Sequence, residues 1–431
     1  MIEPVIAPRK LLGSMVLLQI FWLCASWFLR GGEATVGQHV AFLACSALFG
    51  LILLLLPGDF ISISQRLEGW LPRKERELIL ILCTIVLVAG AIYARYNKVF
   101  LDEPENFNAS KKVIEEGIGA FFSHYSKIPW LGKQHPPLVP LVNAFAMGIF
   151  GVDLFVIRLT TLIFAIATLI VTYSLGKALY DRRIGFLSAS IFIGFPFLLC
   201  LGAAALSDIQ VTFFFSLAML LALRLKRNPT CSLAGALGLA MGLGILTKYT
   251  MIFIFPVLFI LLLTEKGSKR FGWHFVMAAL VSIVVVAPWI FYCWSNRILA
   301  LQEKTITRYS KAVTLGSGGT KYLWQYLFRG IPRGFGPYNI PMLLLGGVRL
   351  LQRREEGGVF LLLWIVPVFL LLLVTLPDPR YFMPAFPALA VIAALGLNGI
   401  PGSRGRIIAL AWLFCGILLF RFAVIGAGRL H

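Results

Sequence analysis

The chain has 431 residues, of which 59% are apolar and only 13% charged, and its mean hydropathy is +0.87. A water-soluble domain carries about 45–50% apolar and about 25% charged residues, so a single soluble globule is excluded, as are a disordered, fibrous or disulfide-stapled secreted chain. The net charge of +20 would suit nucleic acid in a soluble protein; in a polytopic membrane protein it marks cytoplasmic loops and anionic head groups, and no nucleic-acid partner is expected.

A membrane-crossing helix needs about 20 apolar residues. About thirteen runs are candidates, near 11–29, 38–56, 77–95, 154–176, 185–202, 209–225, 232–247, 250–264, 274–294, 339–351, 358–376, 382–400 and 407–427. The fold class expected is therefore all-α, a polytopic transmembrane bundle. The first run is too long for a leader core and lacks a small-residue cleavage site, so it reads as a retained span. Within the long segment 96–153, Val113, Ile114, Ile118, Phe121 and Phe122 recur at helical spacing opposite Lys111, Lys112, Glu115 and Glu116. That pattern predicts an amphipathic helix over Ala109–Ser123 lying along the interface.

Arg9 and Lys10 place the N-terminus inside, and each short gap then assigned to the inside is basic. These gaps hold Arg66, Arg73, Lys74 and Arg76; Lys177, Arg182 and Arg183; Arg224, Lys226 and Arg227; Lys266, Lys269 and Arg270; Arg349, Arg353 and Arg354; and Arg404 and Arg406. The alternation orients the chain in a cytoplasmic (inner) membrane by the positive-inside rule. Two long outer segments, about 96–153 and about 295–338, carry further cations. Either the rule is relaxed in long loops or the cations gather an anionic substrate. The run Gly316-Ser317-Gly318-Gly319 suits a mobile joint in the second segment.

The seven cysteines lie almost entirely within apolar runs and form no CxxC pair, and the five histidines are scattered. They read as buried small hydrophobes and isolated imidazoles, and no obligatory metal is expected.

Acidic residues are scarce, so their positions are informative. Four of the six aspartates fall outside: Asp102, Asp153, Asp208 and Asp378. Asp102-Glu103 follows the third run, and is either a solvated helix end or a catalytic base with a neighbour that orients an acceptor. Gln134-His135-Pro136-Pro137 either starts the next apolar segment or aims Gln134 and His135 at a pocket. Asp208 opens a helix, as a cap or as a substrate contact. Lys248 sits between two apolar runs and either snorkels or binds a lipid phosphate. Arg158, just inside the fourth run, faces the same choice or pairs with a nearby carboxylate. Arg380 and Tyr381, in Asp378-Pro379-Arg380-Tyr381, stand at the outer mouth, where Arg suits a two-pronged phosphate grip. Trp130, Trp289 and Tyr309 are either interface-belt aromatics or sugar-stacking surfaces.

The ordered set resembles a family: Asp102-Glu103, His135-Pro136-Pro137-Leu138, Arg158-Leu159, Ser207-Asp208, the stretch 242–248 ending in Lys248, and Arg380-Tyr381 with its following prolines. Together these look like the GT-C glycosyltransferases of the protein O-mannosyltransferase and lipid A aminoarabinose transferase type. The resemblance covers about residues 77–400. It implies a catalytic membrane domain there; outside it the apolar runs give two extra spans in 1–76 and a last span with a short tail in 401–431. It also implies a donor sugar linked to a polyprenyl monophosphate and an acceptor that is a lipid, glycan or protein. The active site would face the periplasm or exterior. Asp102 and Glu103 would be the catalytic pair; Lys248, Arg380, Tyr381 and Arg158 would contact the donor phosphate; Gln134, His135 and Asp208 would line the acceptor or sugar pocket. Members usually place the Asp-Glu loop after their first helix, whereas two apolar runs precede it here, and no soluble domain is expected beyond the last span.

The competing reading is a secondary transporter or lipid flippase, which calls for ionisable groups near the bilayer midplane and paired broken helices. The predicted helices hold almost no central charge, and the polar clusters sit at one face, which favours one-sided chemistry.

Overall fold

A computed structural model describes residues 74–96, 102–127, 135–264, 269–298, 331–353, 356–373, 378–400, 405–414 and 416–417, with the isolated positions 13 and 99. The two apolar runs before residue 74, Gln134, Trp130, Tyr309, the Gly316–Gly319 joint and the terminal tail lie outside them.

Among the described residues the chain is α-helical, with no strand. In order, the helices are α1 (Glu75–Tyr96), α2 (Glu103–Ser123), α3 (Leu138–Phe150), α4 (Leu154–Leu179), α5 (Arg182–Ile193), α6 (Pro196–Leu201), α7 (Asp208–Arg227), α8 (Cys231–Thr247), α9 (Ile254–Thr264), α10 (Lys269–Ser295), α11 (Ile331–Phe335), α12 (Ile340–Arg353), α13 (Glu356–Leu373), α14 (Phe386–Asn398) and α15 (Gly405–Phe414). Short 3-10 turns precede α9 (Tyr249–Phe253) and α14 (Pro379–Ala385). Five stretches are long and apolar enough to cross a membrane: Glu75–Tyr96, Leu154–Leu179, Asp208–Arg227, Gly272–Ser295 and Pro379–Asn398. The chain is an integral membrane protein.

Burial separates centre from rim. The most apolar windows of α7 and of the stretch ending in α14 are 83% and 78% buried, against 17% for α1 and 22% for α10. Lipid tails are as apolar as leucine, so helices here associate through close backbone approach and shape. Glycines supply that approach: Gly238 and Gly242 of α8 meet Val281 and Val285 of α10, and Gly346 and Gly396 join α12 to α14. A Cβ on Gly346 would lie 1.9 Å from the Ile392 carbonyl oxygen. Buried aromatics fill the remaining core and satisfy their own polar atoms. The Trp364 indole N–H donates to Pro384 O and that of Trp412 to Tyr338 O, each at 3.1 Å.

Two differences from the sequence reading concern the first outer segment and the fifth run. Asp102-Glu103 is the start of a helix: α2 begins at Glu103, six residues before the predicted amphipathic stretch, because Pro104 suits a first turn and Glu103 and Glu105 favour its dipole. Gly117, at φ +83°, kinks α2 and rotates the predicted apolar stripe, so Val113 and Phe121 are buried while Ile118 is exposed. The segment also holds α3, a 13-residue apolar helix too short to span, which packs on α2. The 185–202 run is broken into α5 and α6 at Gly194-Phe195-Pro196.

The chain reversals gather at two ends. At one, Glu75 takes the Tyr173 hydroxyl and the Lys177 ammonium and lies 3.3 Å from Arg182, Lys226 reaches Glu356 at 3.7 Å, and Arg349 donates to the Gly399 carbonyl. The charged residues among these come from the segments that the charge alternation assigns to the inside. The opposite end carries the start of α2, the 202–207 turn, Lys248 and the Asp378–Arg380 turn.

Candidate functional site

Four elements converge at that second end. Asp102 caps α2 (φ −85°, ψ 11°), but its side chain makes no capping hydrogen bond, so the carboxylate is directed elsewhere. It lies 3.6 Å from Nη1 of Arg380 and its side chain is 38% exposed. Asp208 is the first residue of α7, with Ser207 as the cap. The Asp208 carboxylate does not turn back to the helix backbone. Its Oδ1 accepts from Lys248 Nζ at 2.6 Å, and its Oδ2 lies 3.9 Å from Arg380 Nη1.

Lys248 ends α8 in an extended conformation (φ −158°, ψ 136°), which breaks the apolar run and turns its side chain inward. The side chain is 9% exposed, and its ammonium sits 4.4 Å from the centroid of the Tyr381 ring. The lysine therefore does not snorkel; an opposite charge and an aromatic face replace its water.

Arg380 is held by its own turn. Asp378 Oδ1 accepts the Arg380 backbone N–H at 2.9 Å, and Oδ2 accepts Nε at 2.9 Å and Nη2 at 2.7 Å. This local fork fixes the guanidinium plane and leaves Nη1 toward Asp102 and Asp208, at distances that make these two ion pairs looser than the Asp378 contacts.

His135 lies beside this group, and burial, followed by the positive charges of Lys248 and Arg380, lowers its pKa to about 3, although Asp208 opposes the shift. The imidazole is neutral at ordinary pH. Its backbone carbonyl accepts the Tyr125 hydroxyl at 2.7 Å. Tyr125 in turn packs edge-on to Trp289 at 5.0 Å, and the Trp289 N–H donates to the Tyr249 hydroxyl at 3.1 Å. Trp289 is thus buried in a cluster of aromatics from α2, the turn at Tyr125 and α10, neither in a lipid-facing belt nor open for sugar stacking.

The structure brings together Asp102, Asp208, Lys248, Arg380, Tyr381 and His135 of the residues singled out from sequence. Glu103 and Arg158 stand apart from them. Glu103 is fully buried and accepts two 2.7 Å hydrogen bonds from Arg158, so Arg158 takes the carboxylate-pairing option. Sequence reasoning did not assign Asp378, Asn106 or the Ala205 backbone. The signal for Asp378 was present, since Asp-Pro-Arg suits an aspartate that caps a short turn and reaches the arginine two residues on. Nothing local could have found Ala205, which meets α2 only across the fold. Among the described residues no group of three or more His, Cys, Asp or Glu is set to hold a metal.

Comparison with known proteins agrees with this architecture. Residues 134–292 match the family described as dolichyl-phosphate-mannose-protein mannosyltransferase. An undecaprenyl phosphate-alpha-4-amino-4-deoxy-L-arabinose arabinosyl transferase of Pseudomonas fluorescens is 26% identical over 302 residues, 64% of this chain and 50% of the relative. The lipid A galacturonosyltransferase RgtD of Rhizobium johnstonii is 23% identical over 62% of this chain and 56% of its own length. The chain thus spans about half the length of these relatives. Among solved structures, ArnT of Cupriavidus metallidurans bound to undecaprenyl phosphate superposes with a TM-score of 0.57 at 16% identity, over 74% of this chain and 60% of that one. The Archaeoglobus fulgidus oligosaccharyltransferase gives a TM-score of 0.57 at 14% identity, over 82% and 56%. The chain shares the fold of these two structures.

Proposed function

We propose that this chain is an integral-membrane glycosyltransferase that moves a sugar from a polyprenyl-phosphate-linked donor to a hydroxyl or phosphate acceptor on a lipid, glycan or protein, at the outer face of a cytoplasmic membrane. The observation that carries the reading is the meeting of Asp102, Asp208, Lys248 and Arg380, drawn from four separate elements, at one end of an apolar bundle. Such a donor has an apolar tail, an anionic link and a polar head. It needs a lipid-exposed bundle, cations at the boundary and a carboxylate one sugar further out. The relatives named for undecaprenyl-phosphate donors support the same substrate class.

In this reading the acceptor oxygen attacks the anomeric carbon from the face opposite the phosphate. The bond from that carbon to the phosphate oxygen breaks, its electron pair leaves with the phosphate, and the configuration inverts. Asp102 takes the proton of an acceptor hydroxyl or orients it. Lys248 and Arg380 stabilise the charge that builds on the leaving phosphate, with Tyr381 beside them. Asp208 holds both cations in place, and the neutral His135 offers a hydrogen bond to the sugar or acceptor, as would Gln134. In this reading Asp102 supplies the acid–base function and Lys248 and Arg380 the positive charge that the leaving phosphate needs.

Incubation of the purified protein with a panel of polyprenyl-phosphate sugars and membrane extract tests the reading. A glycosylated product together with released polyprenyl phosphate is expected. Absence of transfer from every donor, by protein that is folded and monodisperse, overturns it.

A further inference from the structure

Glu103 and Arg158 form the most completely satisfied buried ion pair among the described residues, and its contacts reach past the pair itself. Arg158 Nε and Nη2 donate to the two Glu103 oxygens at 2.7 Å each, while Nη1 donates to the Ala94 carbonyl near the end of α1 at 2.8 Å. Glu103 Oε1 also accepts the Ala205 N–H at 2.8 Å. One turn along α2, Asn106 Nδ2 donates to the Ala205 carbonyl at 2.8 Å. Both backbone groups of Ala205 are therefore read by the first turn of α2. Ala205 lies three residues before Asp208, and Glu103 lies directly after Asp102.

We infer that Glu103, Arg158 and Asn106 are positioning residues that fix the separation of Asp102 and Asp208, without touching sugar or phosphate. The inference rests on and deepens the transferase reading, and assigns Glu103 and Arg158 differently from a member of the catalytic pair and a phosphate ligand. The geometry supports it. The Arg158 side chain is 4% exposed and Glu103 is sealed, with two of the arginine's nitrogens on the carboxylate and the third on a carbonyl. A donor phosphate reaching Arg158 would have to break a charge-assisted fork in a dry site. Arg380 keeps its own Asp378 fork, so a shift of Asp102 relative to Asp208 displaces the carboxylate and leaves the guanidinium in place.

The test is steady-state kinetics on Arg158→Lys and Asn106→Ala, with a Glu103→Ala/Arg158→Ala cycle. A misplaced catalytic group costs about 100-fold in turnover. Arg158→Lys is therefore expected to lower kcat by about that factor while the apparent donor KM stays within about threefold. A donor KM raised about tenfold or more with kcat unchanged makes Arg158 a donor ligand and overturns the inference. Unchanged kinetics in folded protein overturns it as well. The Glu103/Arg158 double variant should lose no more turnover than the worse single; losses that multiply indicate two separate catalytic roles and count against it. Where alanine at Glu103 or Arg158 does not fold, Asn106→Ala, which removes one amide bridge, carries the same kcat-against-KM reading. Thermal unfolding of the same cycle in detergent needs no turnover, and strong coupling there is expected while additive shifts overturn the contact. A wild-type protein that transfers no sugar thus refutes the proposed reaction separately, leaving the pair to be judged on unfolding.

Discussion

Lys248 and Asp208 meet at 2.6 Å across 40 residues of sequence, both buried, at the point where α8 breaks and α7 begins. Removing one partner of such a pair leaves an uncompensated charge and costs about 3–5 kcal/mol, whereas replacing both by apolar groups of similar size is often neutral. Asp208→Asn should therefore lower the unfolding temperature markedly, and Asp208→Leu/Lys248→Met should recover most of the loss while sugar transfer stays absent. Thermal unfolding of the three proteins in one detergent checks this. A double variant no more stable than Asp208→Asn contradicts it.

Asp102 is partly exposed and its side chain caps no backbone N–H of its own helix, so its replacement should spare the fold. Asp102→Asn should keep a wild-type unfolding temperature and lose about 10²–10⁴-fold in turnover, the range for a general base. Wild-type turnover by the variant would remove Asp102 from the reaction.

Arg380 presents one nitrogen beyond the Asp378 fork. Arg380→Lys keeps the charge and loses the fork. The apparent KM for the polyprenyl-phosphate donor should rise by about tenfold, with a smaller change for the acceptor. Equal changes for both substrates would speak against a phosphate contact.

His135 has its folded-state pKa lowered from 6.5 to about 3, by burial first and by Lys248 and Arg380 next. The unfolded chain binds a proton near 6.5 that the folded chain refuses, so His135 contributes stability that is present above about pH 6.5 and is lost as pH falls toward 3. His135→Asn should flatten that part of the acid-side stability curve relative to wild type. In the pH profile of kcat/KM no step near 6.5 should belong to His135, and a wild-type step there that vanishes in the variant would show a protonated imidazole.

Gly117 occupies a backbone region, φ +83° and ψ 164°, that residues with a Cβ rarely adopt. An added Cβ meets nothing within 4 Å, so the cost of Gly117→Ala is conformational and amounts to about 1–3 kcal/mol. Hydrogen exchange localised to α2 reads this out, and protection unchanged from wild type would show that the kink tolerates a side chain.

Much of the fold was legible because apolar runs and basic gaps report directly on crossing and orientation. The spans at 77–95, 154–176, 209–225 and 274–294 coincide with α1, α4, α7 and α10. What periodicity hides is where an apolar run breaks: Gly194-Phe195-Pro196 interrupts a stretch, 185–202, that looks continuous. The polar residues of the site could be picked out because acids and bases are rare in such a chain. Their pairing could not. Arg158 and Lys248 read alike in sequence, as lone cations at helix edges, and only the fold gives Arg158 to Glu103 and Lys248 to Asp208.

The three aspartates around Arg380 act as built-in counter-ions. An anion drawn to that guanidinium competes with carboxylates already within reach, so the free energy it gains is a difference between two similar attractions. Stray inorganic ions gain little from such an exchange. Discrimination then falls to what a carboxylate cannot imitate, above all a long hydrocarbon chain that stays dissolved in the bilayer while its head is traded in and out.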